Sequence, residues 1–135
     1  MSEEPHSYPR RAAWMCGGTA LLAIGLFGLV SGALIDDTYI TLSYARNLAT
    51  HLHWGLILSE PANAATSPLN VLLLGGATAL LRLTGGTYPV WALGVVFVGS
   101  AVTLAWWWSR VAATLRLPLP VPVLGVTLVL LNPFV

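Results

Sequence analysis

From Trp14 to Ile35 about 22 consecutive residues carry no charge, enough to cross the roughly 30 Å hydrocarbon core of a bilayer as one helix. Inside lipid every backbone N–H and C=O must be satisfied by the chain itself, so a single run of this kind has one practical form, the α-helix. The theme recurs. Further apolar runs lie at about 67–83, 88–108 and 121–135, which predicts an all-α, polytopic membrane protein with three to four transmembrane helices. Only 8% of the 135 residues are charged, against roughly a quarter in ordinary soluble domains. Such a chain lacks the charge to cover a water-facing surface, and lipid supplies the alternative.

Arg10 and Arg11 precede the first run and place the N-terminus in the cytoplasm by the positive-inside rule. Residues 1–13 are then expected to form a short disordered cytoplasmic tail, residues 14–135 the transmembrane domain, and 36–66 the first extracytoplasmic loop. Ser31, Gly32 and Ala33 mimic a signal-peptide cleavage site, but the length of the run and the spans after it favour a retained helix in the cell membrane. Strict alternation of spans sends Arg110 and Arg116 outside, against the same rule. Arg82 is expected to snorkel to the headgroups, and Trp106, Trp107 and Trp108 to anchor the third span at an interface. Gly28 and Gly32 have GxxxG spacing, which permits close helix approach. The chain closes on Asn132-Pro133-Phe134-Val135 with no flanking charge, the expected look of a chain that stops partway through a larger architecture. A net charge of +1 excludes a general polyanion binder, so no nucleic-acid partner is expected. Cys16 stands alone, which rules out an intrachain disulfide or a cysteine metal cluster.

The polar stretch at 36–66 is where chemistry concentrates. Ile40, Tyr44, Leu48 and Leu52 recur every four residues, predicting an amphipathic helix of about 15 residues lying along the membrane interface. Asp36 or Asp37 is expected to cap it. Two carboxylates at the end of a span can also act as a base toward an acceptor hydroxyl, or hold a divalent metal such as Mg or Mn through oxygen ligands. His51 and His53 have HxH spacing, but near a helix end the two side chains diverge and no third ligand is spaced to join them. Arg46, beside Asn47 on the polar face, suits a phosphate on a substrate or on a lipid headgroup. No phosphate-binding glycine loop, dinucleotide fingerprint, nucleophile triad or zinc motif occurs.

The ordered series DDTYITLSYARNL at 36–48 and TSPL at 66–69 resembles the first extracytoplasmic loop of GT-C class membrane glycosyltransferases, and more narrowly actinobacterial arabinofuranosyltransferase-like proteins. The resemblance implies a polyprenyl-phosphate sugar donor, an acceptor at the outer face of the cell envelope, and an aspartate base that falls on Asp36 or Asp37. It also implies substrate contacts at Tyr39, Tyr44, Arg46, Asn47, Thr66 and Ser67. Ser43 and Asn70 depart from the pattern, where many relatives carry an arginine and an aromatic residue. On this reading the chain is the N-terminal part of such an enzyme, inactive alone and completed by further chain or membrane subunits. The alternative is a small non-enzymatic membrane protein acting through helix–helix association with a partner.

Overall fold

Proline and arginine open the first helix well before the apolar run begins. The computed structural model describes residues 7–34, 36–59, 65, 67–85, 89–118 and 120–131. Its first helix, α1, runs Ser7–Val30, so residues 7–13, expected as disordered tail, are helical. Pro9 falls in the first turn, where a backbone N–H has no partner to lose, and Arg and Ala are strong helix formers. A single 3-10 turn, Ser31–Ala33, ends the element. The helices α2 (Asp36–His51), α3 (Pro68–Arg82), α4 (Pro89–Thr114) and α5 (Pro120–Leu130) come next in the chain.

Each predicted apolar run forms a helix, but the runs differ in reach. The continuous helical segment Pro9–Ala33, 25 residues, and α4, 26 residues, are long and apolar enough to cross a membrane. At 1.5 Å per residue they extend about 37 and 39 Å. The helices α3 and α5 are apolar but only 15 and 11 residues long, below the roughly 20 residues a span needs. Both long helices turn large apolar side chains outward: Trp14 and Leu21 are each 73% exposed, Leu29 82% and Trp91 66%.

The chain forms two packing units, Met1–Leu26 with Phe97–Val135, and Phe27–Val96. Both α1 and α4 contribute residues to each unit. In the first unit the buried positions of α1 are Ala12, Met15, Thr19 and Ala23, and those of α4 are Ala101, Ala105, Ser109 and Ala112. Both sets recur every three or four residues, the spacing of one helix face, and small residues let backbones approach. Trp108 lies against α5 where Gly125 leaves room; a Cβ on that glycine sits 2.9 Å from the indole Nε1.

In the second unit Leu42 and Ala45 of α2 and Leu74 of α3 form the buried cluster, with Leu34, Val90, Leu93 and Val96 around it. Leu48 packs at Gly75, where an added Cβ meets its Cδ2 at 3.0 Å. Phe27 packs at Gly94, where an added Cβ meets the ring at 2.7 Å. Gly94→Leu is therefore expected to cost about 1–3 kcal/mol by overpacking. Gly99→Leu, with nothing within 4 Å of its Cβ position, is the matched control. Thermal melts of the two variants in one detergent check this: equal midpoints sink the Phe27–Gly94 contact as a determinant of packing.

Candidate functional site

Over residues 36–59 the stretch is a helix held from two sides, with the start of its loop folded back against it. Asp36 and Asp37 both lie in the first turn of α2, where a carboxylate faces the unpaired N–H groups and the positive end of the helix dipole. That places the pair inside the helix, where the sequence predicts a cap residue at one of them. Both are exposed.

The buried residues of α2 are Leu42, Tyr44 and Ala45. Leu42 and Ala45 face the cluster with α3. Tyr44, wholly buried, meets Trp54 edge to face, with ring centroids 6.0 Å apart and an interplanar angle of 63°. The turn after α2 starts at Leu52, a non-glycine residue at φ 52° that is itself 89% exposed. Asn47 fixes the loop beyond this turn, its Nδ2 donating to the carbonyls of Gly55 (2.9 Å) and Leu56 (3.0 Å). His53 Nε2 lies 3.0 Å from the Ile57 carbonyl. Gly55 is buried beneath this arrangement. From α3, Arg82 donates through Nη1 to the Ala49 carbonyl at 2.7 Å. The last carbonyls of a helix have no intrahelical partner, and Arg82 satisfies one of them instead of only reaching toward headgroups.

Helical rotation of about 100° per residue then sorts the expected site residues. Asp36, Tyr39, Ser43, Arg46 and Thr50 follow 3-4-3-4 spacing and share one stripe. Asp36, Tyr39 and Arg46 are exposed along it, while Ser43 and Thr50 are half-buried. The hydroxyls of Ser43 and Thr50 donate back to the carbonyls of Tyr39 (2.8 Å) and Arg46 (2.7 Å). Asp36 and Arg46 are about 15 Å apart along the axis. Asp37 falls on the neighbouring stripe, in line with Tyr44. Of the other residues expected at a substrate, Tyr44 is wholly buried against Trp54 and Asn47 donates to the loop carbonyls of Gly55 and Leu56. Ser67 is exposed and extended (φ −139°, ψ 90°) just before α3, without a side-chain cap bond. Thr66 lies outside the described residues.

Among the described residues no three His, Cys, Asp or Glu side chains gather to hold a metal ion, so a cation at Asp36 and Asp37 would need ligands from elsewhere. The loop clasp by Trp54 and Asn47, and the bond from Arg82 to the end of α2, are what a local reading misses. The signal for it is the Trp54-Gly55 pair itself, an aromatic residue next to one with no side chain to block its approach.

Fold and site thus define an all-α chain with two helices of membrane-crossing length and a clamped amphipathic helix that presents a mixed polar stripe. No protein-family model, curated protein or solved structure matches the chain.

Proposed function

We propose that this chain is an integral membrane protein that supplies the acceptor-side loop of a GT-C-like glycosyltransferase, with Asp36 as the base. The carrying observation is the exposed stripe Asp36, Tyr39 and Arg46 on a helix whose other sides pack against α3 and the loop. A base, an aromatic surface for a sugar ring and a guanidinium for a phosphate are the groups such a transfer calls for. One helix face does not enclose a polyprenyl phosphate and an acceptor together, so the reading requires further membrane helices to complete the donor groove.

The reading also implies a topology. If α1 and α4 span the bilayer and the shorter α3 does not, the N-terminus is cytoplasmic, α2 and α3 are extracytoplasmic, and α4 returns to the cytoplasm. Arg110 and Arg116 then obey the positive-inside rule that four alternating spans violate. The test is transfer of labelled sugar from a polyprenyl-phosphate donor in envelope membranes lacking or containing the chain. Transfer that rises with the chain, and not with its Asp36→Asn form, is expected; transfer indifferent to the chain sinks the reading.

A second reading rests on α1. Gly18, Gly25 and Gly32 repeat every seven residues, and a Cβ at each meets nothing within 4 Å, leaving an open small-residue face of the kind that packs on another helix. Under this reading Gly25→Leu abolishes co-purification of a membrane partner, while Asp36→Asn leaves it intact. Partner recovery unchanged by Gly25→Leu removes the association reading.

A further inference from the structure

We infer that α3 lies half-inserted in the extracytoplasmic leaflet, its outward face among the lipid acyl chains, and carries α2 on its other side. The inference rests on α1 and α4 spanning the bilayer and is independent of the glycosyltransferase part of the reading above.

The helix α3 is apolar on two opposite sides. Its buried face is Val71, Leu74, Gly75 and Thr78. At about 100° per residue, Leu69, Leu72, Leu73, Gly76, Ala79 and Leu80 fall together on the other side, and all six are exposed. Each of those four leucines is more than half exposed. The polar residues of the helix lie off this face. Thr78 is buried and donates to the Leu74 carbonyl at 2.7 Å. Arg82 turns to the Ala49 carbonyl of α2, and Asn70 stands about 100° round from Leu69. A helix apolar on both sides belongs where both are covered, and α2 covers only one.

The neighbours of α3 set its depth. Val90, Leu93 and Val96 pack around the cluster that Leu74 forms with Leu42 and Ala45. These three lie within the first eight residues of α4, its outer 12 Å or so, about 1.5 Å for each residue. The whole helix exceeds the roughly 30 Å hydrocarbon core by about 9 Å. Centred on that core, it leaves about 4–5 Å beyond the core at each end, so the contact with α3 straddles the boundary between headgroups and acyl chains. That is the depth at which an interfacial helix seats its apolar face.

The pair lies flat at that depth. Contacts at Leu42 with Leu74 and at Ala49 with Arg82 run α2 and α3 side by side. The exposed stripe Asp36, Tyr39 and Arg46 needs water along its whole length, which an upright pair denies to one end. With α3 beneath, the stripe on α2 faces outward and the leucines face lipid.

The experiment attaches a nitroxide to one cysteine at a time in the full chain carrying Cys16→Ser, in vesicles of phosphatidylcholine and phosphatidylglycerol. Power saturation of the electron paramagnetic resonance signal compares collisions with oxygen, which concentrates among acyl chains, against a water-soluble nickel chelate. Labels at Leu69→Cys, Leu73→Cys and Leu80→Cys are expected to favour oxygen several-fold more than one at Tyr39→Cys. They are expected to share one depth, about 5–10 Å into the boundary. The reference is Leu21→Cys, midway along Pro9–Ala33, which reports a greater depth. Nickel access at Leu73→Cys equal to that at Tyr39→Cys overturns the placement, as does a depth that steepens from Leu69→Cys to Leu80→Cys. So does shielding of the leucine-face labels from both reagents, the mark of a protein partner on that face. Nickel access at Leu21→Cys removes the spanning helices, and the placement with them.

Discussion

Tyr44→Ala is expected to destabilise the second unit by about 3–5 kcal/mol, the cost of removing a fully buried aromatic side chain and leaving its cavity. Tyr44 has no exposed surface and carries the edge-to-face contact with Trp54. Its loss also undermines the loop, because Asn47 bonds the two residues after Trp54, Gly55 and Leu56. Tyr44→Phe keeps the ring and removes only the hydroxyl, so its expected cost is about 0.5–1.5 kcal/mol. Thermal melts in a single detergent, with hydrogen exchange over residues 52–59, separate the two. A Tyr44→Ala chain that melts with wild type and keeps the loop protected shows that the ring does not hold this unit together.

The existence of α2 was legible because its cues are local: acids at the start, apolar residues at four-residue steps, and glycine and proline beyond the end. Its covered side was legible only in part. The stripe Ile40, Tyr44, Leu48 and Leu52 points to one face, yet the buried cluster uses Leu42 and Ala45. The helix is covered from two directions, by α3 with the start of α4 and by its own loop, so no single stripe describes it. Leu52 drops out because the chain leaves the helix there through a left-handed residue. The partners of Arg82 and Asn47 are 33 and 8–9 residues away in sequence, and no periodicity reports them. Residues 7–13 look like a tail because polarity and proline dominate them, but a helix tolerates both in its first turns. Helix length decides more than hydropathy does. At 15 residues α3 is as apolar as a span and too short to be an ordinary one, and in the proposed topology that difference reverses the side assigned to everything after it.

Asp36→Asn is expected to lower sugar transfer by about 10²–10⁴-fold in membranes where the chain supports it, the usual contribution of a positioned general base. Asparagine has nearly the same shape and still faces the first-turn N–H groups, so the change in helix stability is limited to about 0.3–1 kcal/mol of dipole interaction. An effect of this size on transfer therefore reports chemistry and not unfolding. Asp37→Asn makes the same electrostatic change one residue later and about 100° around the helix, away from Tyr39 and Arg46. Its expected effect is less than tenfold. Arg46→Lys adds a second axis: it keeps the charge but loses paired donation to a phosphate, so it should raise KM for the donor more than it lowers kcat. The pattern across the three variants carries the inference. Loss with Asp37→Asn alone moves the base to the stripe that Tyr44 shares. Transfer indifferent to both aspartates leaves them as a helix start, and with that the glycosyltransferase reading of the loop fails.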